Sequence, residues 1–338
     1  QEGQANPGFF NDETAMKMAL GKGGTLEDAR DWTIVGCIQA GPGGGGTDGS
    51  PDAGYVNMGK MVEFVLHNGI DPRTGKLMGL REFTNIEQFK DALKKQIIHA
   101  YDQIRIGYNL MQSIHMNRYP VIFASMVTAG CVESGKSVQQ GGARVSTCGM
   151  YVTGAANLAD CIAAVEKCVF EDDDVTMDEL IAACDANFEG YERLRQLLLN
   201  KPEKYGNDSS HVDGIYREMM HYVADEVQSW PDARGGHYAF GIDSQTMNIP
   251  HGEVTGALPD GRLAGEAFCD ASSPMMGRDI CGPTATVKSV AAIAGRRAVQ
   301  PALRPQGRAG RRRPPHYRRR DSHVLPTWWR AYSNQRRR

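Results

Sequence analysis

The chain has 338 residues, 38 basic and 40 acidic side chains and a formal net charge of -2, with 41% apolar and 23% charged residues. Those fractions belong to a soluble globular protein, and no run of 18 apolar residues is present to form a transmembrane helix. The eight cysteines, at 37, 131, 148, 161, 168, 184, 269 and 281, include no C-x-x-C pair; this argues against zinc or cluster ligation and fits free thiols in a reducing cytoplasm.

The length allows one large domain or two. Charge divides the chain more sharply. Residues 296–338 hold fourteen arginines, no lysine and one acid, Asp321, a net of +13, against -15 for the remainder. We therefore expect a body over residues 1–295 and a basic tail over 296–338 that packs no core and is either disordered or read out of frame. With Trp328 and Trp329, the tail also admits a nucleic-acid-binding reading through phosphate charge and base stacking. It shows no motif spacing and follows an acidic body, which weighs against that reading. The chain opens on Gln1 with no signal-peptide pattern, and we expect it to be a piece of a longer protein.

In chain order, Glu13 to Leu20 reads as a short helix and Trp32 to Val35 as a strand. Gly36-Cys37-Ile38-Gln39 follows, and then a glycine-rich loop from Gly41 to Gly49. Asn57 to His67 has amphipathic spacing and stops at Asn68-Gly69. Arg73 to Thr84 is turn-rich. Asn85 to Asn117 is a long helix, with Ile86, Phe89, Leu93, Ile97, Tyr101, Ile104, Tyr108 and Met111 in helical register. Val121 to Val127 is an apolar run expected to be a buried helix or strand. Gln139 to Thr153 is irregular with β-type residues, and Asn157 to Phe170 is helical, placing Cys161 and Cys168 on one core face. Thr176-x-x-Glu179 is a capping box that opens a helix to Leu199. His211 to Val227 is a further helix, Gly241 to Ile249 a strand, and Ala285 to Ile293 a helix or strand. The alternation argues for an α/β fold.

The glycine loop satisfies G-x-G-x-x-G only trivially. A dinucleotide site wants that pattern opening a helix directly, with an acid ending a second strand. Here about ten loop residues precede the helix, and Glu63 falls inside it. The acidic run Glu171 to Asp174 lacks the central glycine of a calcium loop and reads as a solvated turn.

A free cysteine is ordinarily a small core residue. Cys37 stands out because its surroundings resemble the active-site loop of the glycyl radical enzymes, the superfamily of pyruvate formate-lyase. A second stretch, Gly256-Ala257-Leu258-Pro259-Asp260-Gly261-Arg262-Leu263-Ala264-Gly265-Glu266, and a third, Ser273-Pro274-Met275-Met276-Gly277-Arg278-Asp279 with Gly282-Pro283-Thr284-Ala285, resemble that family's ATPDGR-x-AGEP and SP-x-x-GRD-x-x-GPTA segments. The resemblance covers about residues 20 to 292. It implies a ten-stranded α/β barrel with the cysteine loop inside it, of which this chain would hold the second half without the glycyl radical domain. It further implies a thiyl radical at Cys37 and a glycyl radical on a segment beyond this chain, installed by a radical SAM iron-sulfur activating enzyme. A cytoplasmic homodimer, with or without small accessory subunits, is implied as well, and the piece alone is expected to be inactive.

Within the superfamily, position 39 discriminates. The eliminating and decarboxylating members resemble one another in carrying Gly-Cys-x-Glu; this chain has Gln39, and an amide binds through hydrogen bonds but is no general base. Position 38 is isoleucine, so the paired cysteines of pyruvate formate-lyase are absent. The remaining expectation is hydrogen abstraction by Cys37 from a hydrocarbon and addition of the carbon radical to fumarate, as in the alkylsuccinate and benzylsuccinate synthases. A dehydratase, lyase or decarboxylase is the alternative. Trp32, Ile34, Val35 and Ile38 would keep the radical dry. Gln39, the amides of Gly43 and Gly44 as an anion nest, and Gln245 and Asn248 on the expected strand would hold substrate.

Overall fold

The computed structural model describes residues 12–21, 24–35, 39–43, 46, 52–76, 83–244, 246–293 and 300–301. All belong to one unit, Gln1–Pro305. The chain enters through α1 (Asp12–Gly21) and α2 (Leu26–Arg30), then forms an antiparallel pair of strands, β1 (Trp32–Val35) and β2 (Gln39–Pro42), in which Val35 faces Gln39 and Trp32 faces Pro42. A four-stranded parallel sheet follows: β3 (Asp52–Asn57), β4 (Thr147–Thr153), β5 (His237–Ile242) and β6 (Gln300–Pro301), in that order. β6 lies within the segment expected as tail; residues 302–338 fall outside the described residues.

Between β3 and β4 run α3 (Met58–Leu66), α4 (Ile86–Arg118), α5 (Ile122–Met126) and α6 (Cys131–Ser134). After β4 come α7 (Ala155–Val165), which continues as a π-turn over Glu166–Glu171, then α8 (Met177–Asp185), α9 (Glu192–Asn200) and α10 (Ser210–Gln228). The short α11 (Asn248–Glu253) follows β5, and α12 (Pro283–Ala291) precedes β6. The fold is α/β, as expected. Among the described residues no helix is long and apolar enough to cross a membrane.

Alternation in the strands sorts the two faces of the sheet. Val56, Cys148, Met150, Val152, Tyr238, Phe240 and Ile242 point into the core, where α3, α4, α7 and α10 pack. Phe89, Leu93, Ile97 and Tyr101 of α4 are fully buried there, one residue per turn, as the periodicity of that helix requires. Cys161 and Cys168 are buried thiols in the same core, as expected. The helix starts follow local chemistry: Asn57 accepts from Lys60 N at the head of α3, Asn85 from Gln88 N, and the Thr176–Glu179 capping box opens α8.

Several expectations are corrected. Asp52–Asn57 is a strand, not loop; Asp, Ala and Gly are poor strand formers, and pairing with β4 overrides that preference. The apolar run 121–127 is helical but exposed: Ile122 is 68% and Phe123 78% accessible. The helix expected to reach Leu199 breaks after Asp185, where Asn187, Phe188 and Gly190 all adopt positive φ. The strand expected over 241–249 begins at His237 and ends at Ile242, so Asn248 opens a helix instead.

Candidate functional site

Cys37, Gly44 and Gln245 lie outside the described residues. What can be placed is the frame around Cys37. β1 and β2 flank it in sequence, and their base is closed by Gly43, whose N–H donates to the Asp31 carbonyl at 3.0 Å. A Cβ at Gly43 would sit 2.6 Å from that oxygen, so only glycine fits. The Gly43 amide is thereby spent inside the protein and is not free for an anion nest. Gly46 bridges to Val145, just ahead of β4, and Arg144 pairs with Asp28 at 2.5 Å, tying α2 to the same place. Trp32 Nε1 donates to Asp12 Oδ1 at 3.0 Å, and Ile34 is 38% exposed in this chain. Gln39 is the first residue of β2, opposite Val35.

The face of the sheet turned away from the helices is polar and aromatic. Tyr55 and Tyr151 occupy one rung, and their rings stack at 5.3 Å. Asn57 and Thr153 occupy the next same-face rung, at the carboxyl ends of β3 and β4. Tyr151 lies flat because Gly149 and Gly241 give it room; a Cβ at either would approach its ring to 2.7 Å. Above Thr153 sits His251 of α11, with Nδ1 2.7 Å from Thr153 Oγ1. Asn57 Nδ2 donates to the His251 carbonyl and to Thr255 Oγ1, both at 3.0 Å. Burial lowers the His251 pKa from its ordinary value, favouring the neutral ring. No described residue hydrogen-bonds to its Nε2. Open α/β sheets place their chemistry at such carboxyl ends.

The segment 243–282 that carries α11 is held by charge buried in the protein. Arg262 is fully buried, with its guanidinium bonded to the carbonyls of Gly252 (2.7 Å), Gly256 (2.7 Å) and Glu266 (2.8 Å) and lying 4.3 Å from the centroid of the Phe268 ring. Asp260 Oδ2 accepts from Asn157 at 2.7 Å and from Arg278 at 3.0 Å, which joins the DGR and GRD stretches to α7. Asn248 donates to the Phe268 carbonyl at 3.2 Å and so closes the same segment. These motif residues build the scaffold of the site.

A cleft of about 460 Å³ opens elsewhere, between α3, the end of α8 and residues 253–257. Lys60 there is already paired with Glu63 and with Asp71 at 3.3 Å, and it donates to the Val254 carbonyl. Burial pushes the Cys184 thiol in its wall far up, so that sulfur is no nucleophile. Among the described residues no group of three His, Cys, Asp or Glu side chains could hold a metal ion.

The model of the pyruvate formate lyase-like family matches residues 1–252. The chain belongs to that family. Trans-4-hydroxy-L-proline dehydratase of Clostridioides difficile is 35% identical over 296 residues, covering 86% of this chain and 37% of its own length. The structure of hydroxyproline dehydratase from the same organism superposes with a TM-score of 0.82 over 85% of this chain and 37% of that one. (2S)-3-sulfopropanediol dehydratase of Klebsiella oxytoca is 31% identical over 301 residues, 86% of this chain and 36% of the relative. The B12-independent glycerol dehydratase of Clostridium butyricum superposes at a TM-score of 0.81 with 32% identity, over 88% of this chain and 38% of that one. The chain thus spans little more than a third of the relatives it matches. The glycyl radical superfamily resemblance is upheld, and these relatives are dehydratases, not succinate synthases.

Family membership was legible in the Gly-Cys loop and the DGR and GRD stretches. The residues on the open sheet face were not singled out. Tyr55, Asn57, Tyr151, Thr153 and His251 sit in text that reads as helix start or irregular strand. Tyr55, Asn57, Tyr151 and Thr153 share only a same-face register that appears once β3 and β4 pair, and His251 joins them only through its bond to Thr153.

Proposed function

We propose that this chain is part of a glycyl radical lyase that removes a small polar group, such as water, from a hydroxylated substrate. In this reading the glycyl radical, installed by a radical SAM activating enzyme, supplies the unpaired electron, and Cys37 is the residue of this chain that takes a hydrogen atom from substrate carbon. The observation that carries the reading is the match over 84–88% of the chain to enzymes that are dehydratases by name, at 31–35% identity. The chemistry of the open sheet face supports it. A hydrocarbon calls for an apolar wall, whereas this face carries His251, whose ring is held at Nδ1 by Thr153 and whose Nε2 suits a hydroxyl.

One observation favours a second reading. Gln39 stands where a proton-moving glutamate is expected for elimination, and radical addition of a hydrocarbon to fumarate needs no such group. Anaerobic activation of the complete enzyme decides between them. Incubation with glycerol, 1,2-propanediol or trans-4-hydroxy-L-proline should yield a dehydrated product that Cys37→Ala abolishes. A substituted succinate from fumarate plus toluene or hexane, with the three alcohols untouched, would replace the elimination reading by the addition reading.

A further inference from the structure

Elimination needs a proton carrier, and an amide at position 39 cannot serve. Among the described residues, His251 has the geometry for the task. We propose that His251 carries the proton in the elimination of water from a vicinal diol: its Nε2 takes the proton of the hydroxyl on the radical carbon and delivers it to the hydroxide leaving the neighbouring carbon. The inference rests on the elimination reading above.

The placement comes from the register. Asn57 and Thr153 share a rung directly beyond the stacked Tyr55–Tyr151 rung, on the face away from the helices and at the carboxyl ends of the parallel strands. His251 of α11 sits above that rung: its ring is fixed through Thr153 Oγ1 at 2.7 Å and its backbone through Asn57 at 3.0 Å. When Nδ1–H donates to Thr153, Nε2 carries the lone pair, and no described residue competes for it. A ring oriented at one nitrogen and open at the other is the arrangement a general base requires. Burial favours the neutral ring, the form that can accept a proton. Once protonated, the imidazolium is a general acid that can give the proton back.

The step balances without an outside oxidant. For a vicinal diol, hydrogen abstraction leaves HO–C•–C–OH. The O–H bond on the radical carbon breaks and an Nε2–H bond forms. The adjacent C–O bond then breaks, the Nε2–H proton passes to the departing oxygen as water, and the first carbon becomes a carbonyl. The unpaired electron moves to the second carbon and remains one throughout.

The test has two arms. In the 338-residue chain, histidine side-chain ¹⁵N NMR, assigned with His251→Gln, should show the Nε2 resonance moving on addition of millimolar glycerol or 1,2-propanediol. Fumarate should leave it in place. Thr153→Val should weaken the response by releasing the ring. In the activated complete enzyme, His251→Gln should lower kcat about 10²–10⁴-fold with KM within threefold, and imidazole in solution should restore part of the rate to His251→Gly. An Nε2 signal indifferent to both diols, or a dehydrated product formed by His251→Gln at the wild-type kcat, overturns the proposal while leaving elimination standing. A succinate adduct in place of a dehydrated product overturns both.

Discussion

Tyr55 and Tyr151 stack across neighbouring parallel strands with ring centroids 5.3 Å apart and planes 23° from parallel. The pair exists because the sheet beneath Tyr151 has no side chains: Gly149 precedes it by two on β4, and Gly241 faces it from β5. The glycines are steric in purpose here; neither is among the positions of positive φ.

Gly149→Ala and Gly241→Ala should therefore each lift the Tyr151 ring off the sheet. An added carbon 2.7 Å from an aromatic ring forces a rotamer change or a strand shift, a class of overpacking that costs about 1–3 kcal/mol. Urea unfolding of each variant should show that loss together with a changed near-ultraviolet tyrosine signal. Tyr151→Ala combined with Gly241→Ala should recover most of it, because the clash has gone. A Gly241→Ala protein as stable as the parent, with an unaltered tyrosine signal, would count against the steric account.

Arg262 tests the scaffold. Its guanidinium serves the carbonyls of Gly252, Gly256 and Glu266 while lying against Phe268, so removing it strands several buried acceptors at once. Arg262→Met should cost about 3–5 kcal/mol. Arg262→Lys should recover little, since an ammonium cannot reproduce the planar fork. Full rescue by lysine, measured by thermal unfolding, would mean that charge alone matters.

Asn57 joins two elements. Its Oδ1 caps α3 by accepting from Lys60 N at 2.9 Å, and its Nδ2 reaches the α11 carbonyl and Thr255. Asn57→Asp keeps the cap but loses both donated bonds; Asn57→Ala loses all three. Asn57→Ala should cost about 1–3 kcal/mol, of which the cap accounts for about 1. Hydrogen exchange should speed up at the start of α3 in the alanine variant only, and in α11 in both.

Local signals were readable wherever one element settles its own structure. The period of α4 and the caps of α3 and α8 lie within a few residues of sequence, and they emerge as expected. What pairing decides was hidden. Asp52-Ala53-Gly54 reads as loop until β4 lies beside it, and only then do Asn57 and Thr153 share a rung. The run 121–127 shows the opposite failure: composition measures apolarity, and burial depends on what else is present to cover it. Arg262 and Asp260 were visible as family text, but their work, holding the segment that carries His251, appears only in three dimensions.

Asp160 gives a pH dependence with a definite sign. It is completely buried on α7, where Oδ1 accepts from Tyr205 N at 2.8 Å and Oδ2 lies 3.4 Å from Arg278 Nη1. Burial raises its pKa to about 6, outweighing the opposing pull of Lys204 and Arg278. An unfolded aspartate titrates near about 3.9. The folded chain therefore holds this proton more tightly. The stabilisation from proton uptake is complete below the unfolded value and is lost as pH rises through about 6. Asp160→Asn keeps an acceptor for Tyr205 N–H and cannot ionise. Relative to the parent, the variant should gain about 1–2 kcal/mol between pH 5 and pH 7.5. Urea unfolding at several pH values measures the difference directly. If the two stability curves run parallel across that range, Asp160 is ionised in the folded chain throughout, and Arg278 with Lys204 outweighs its burial.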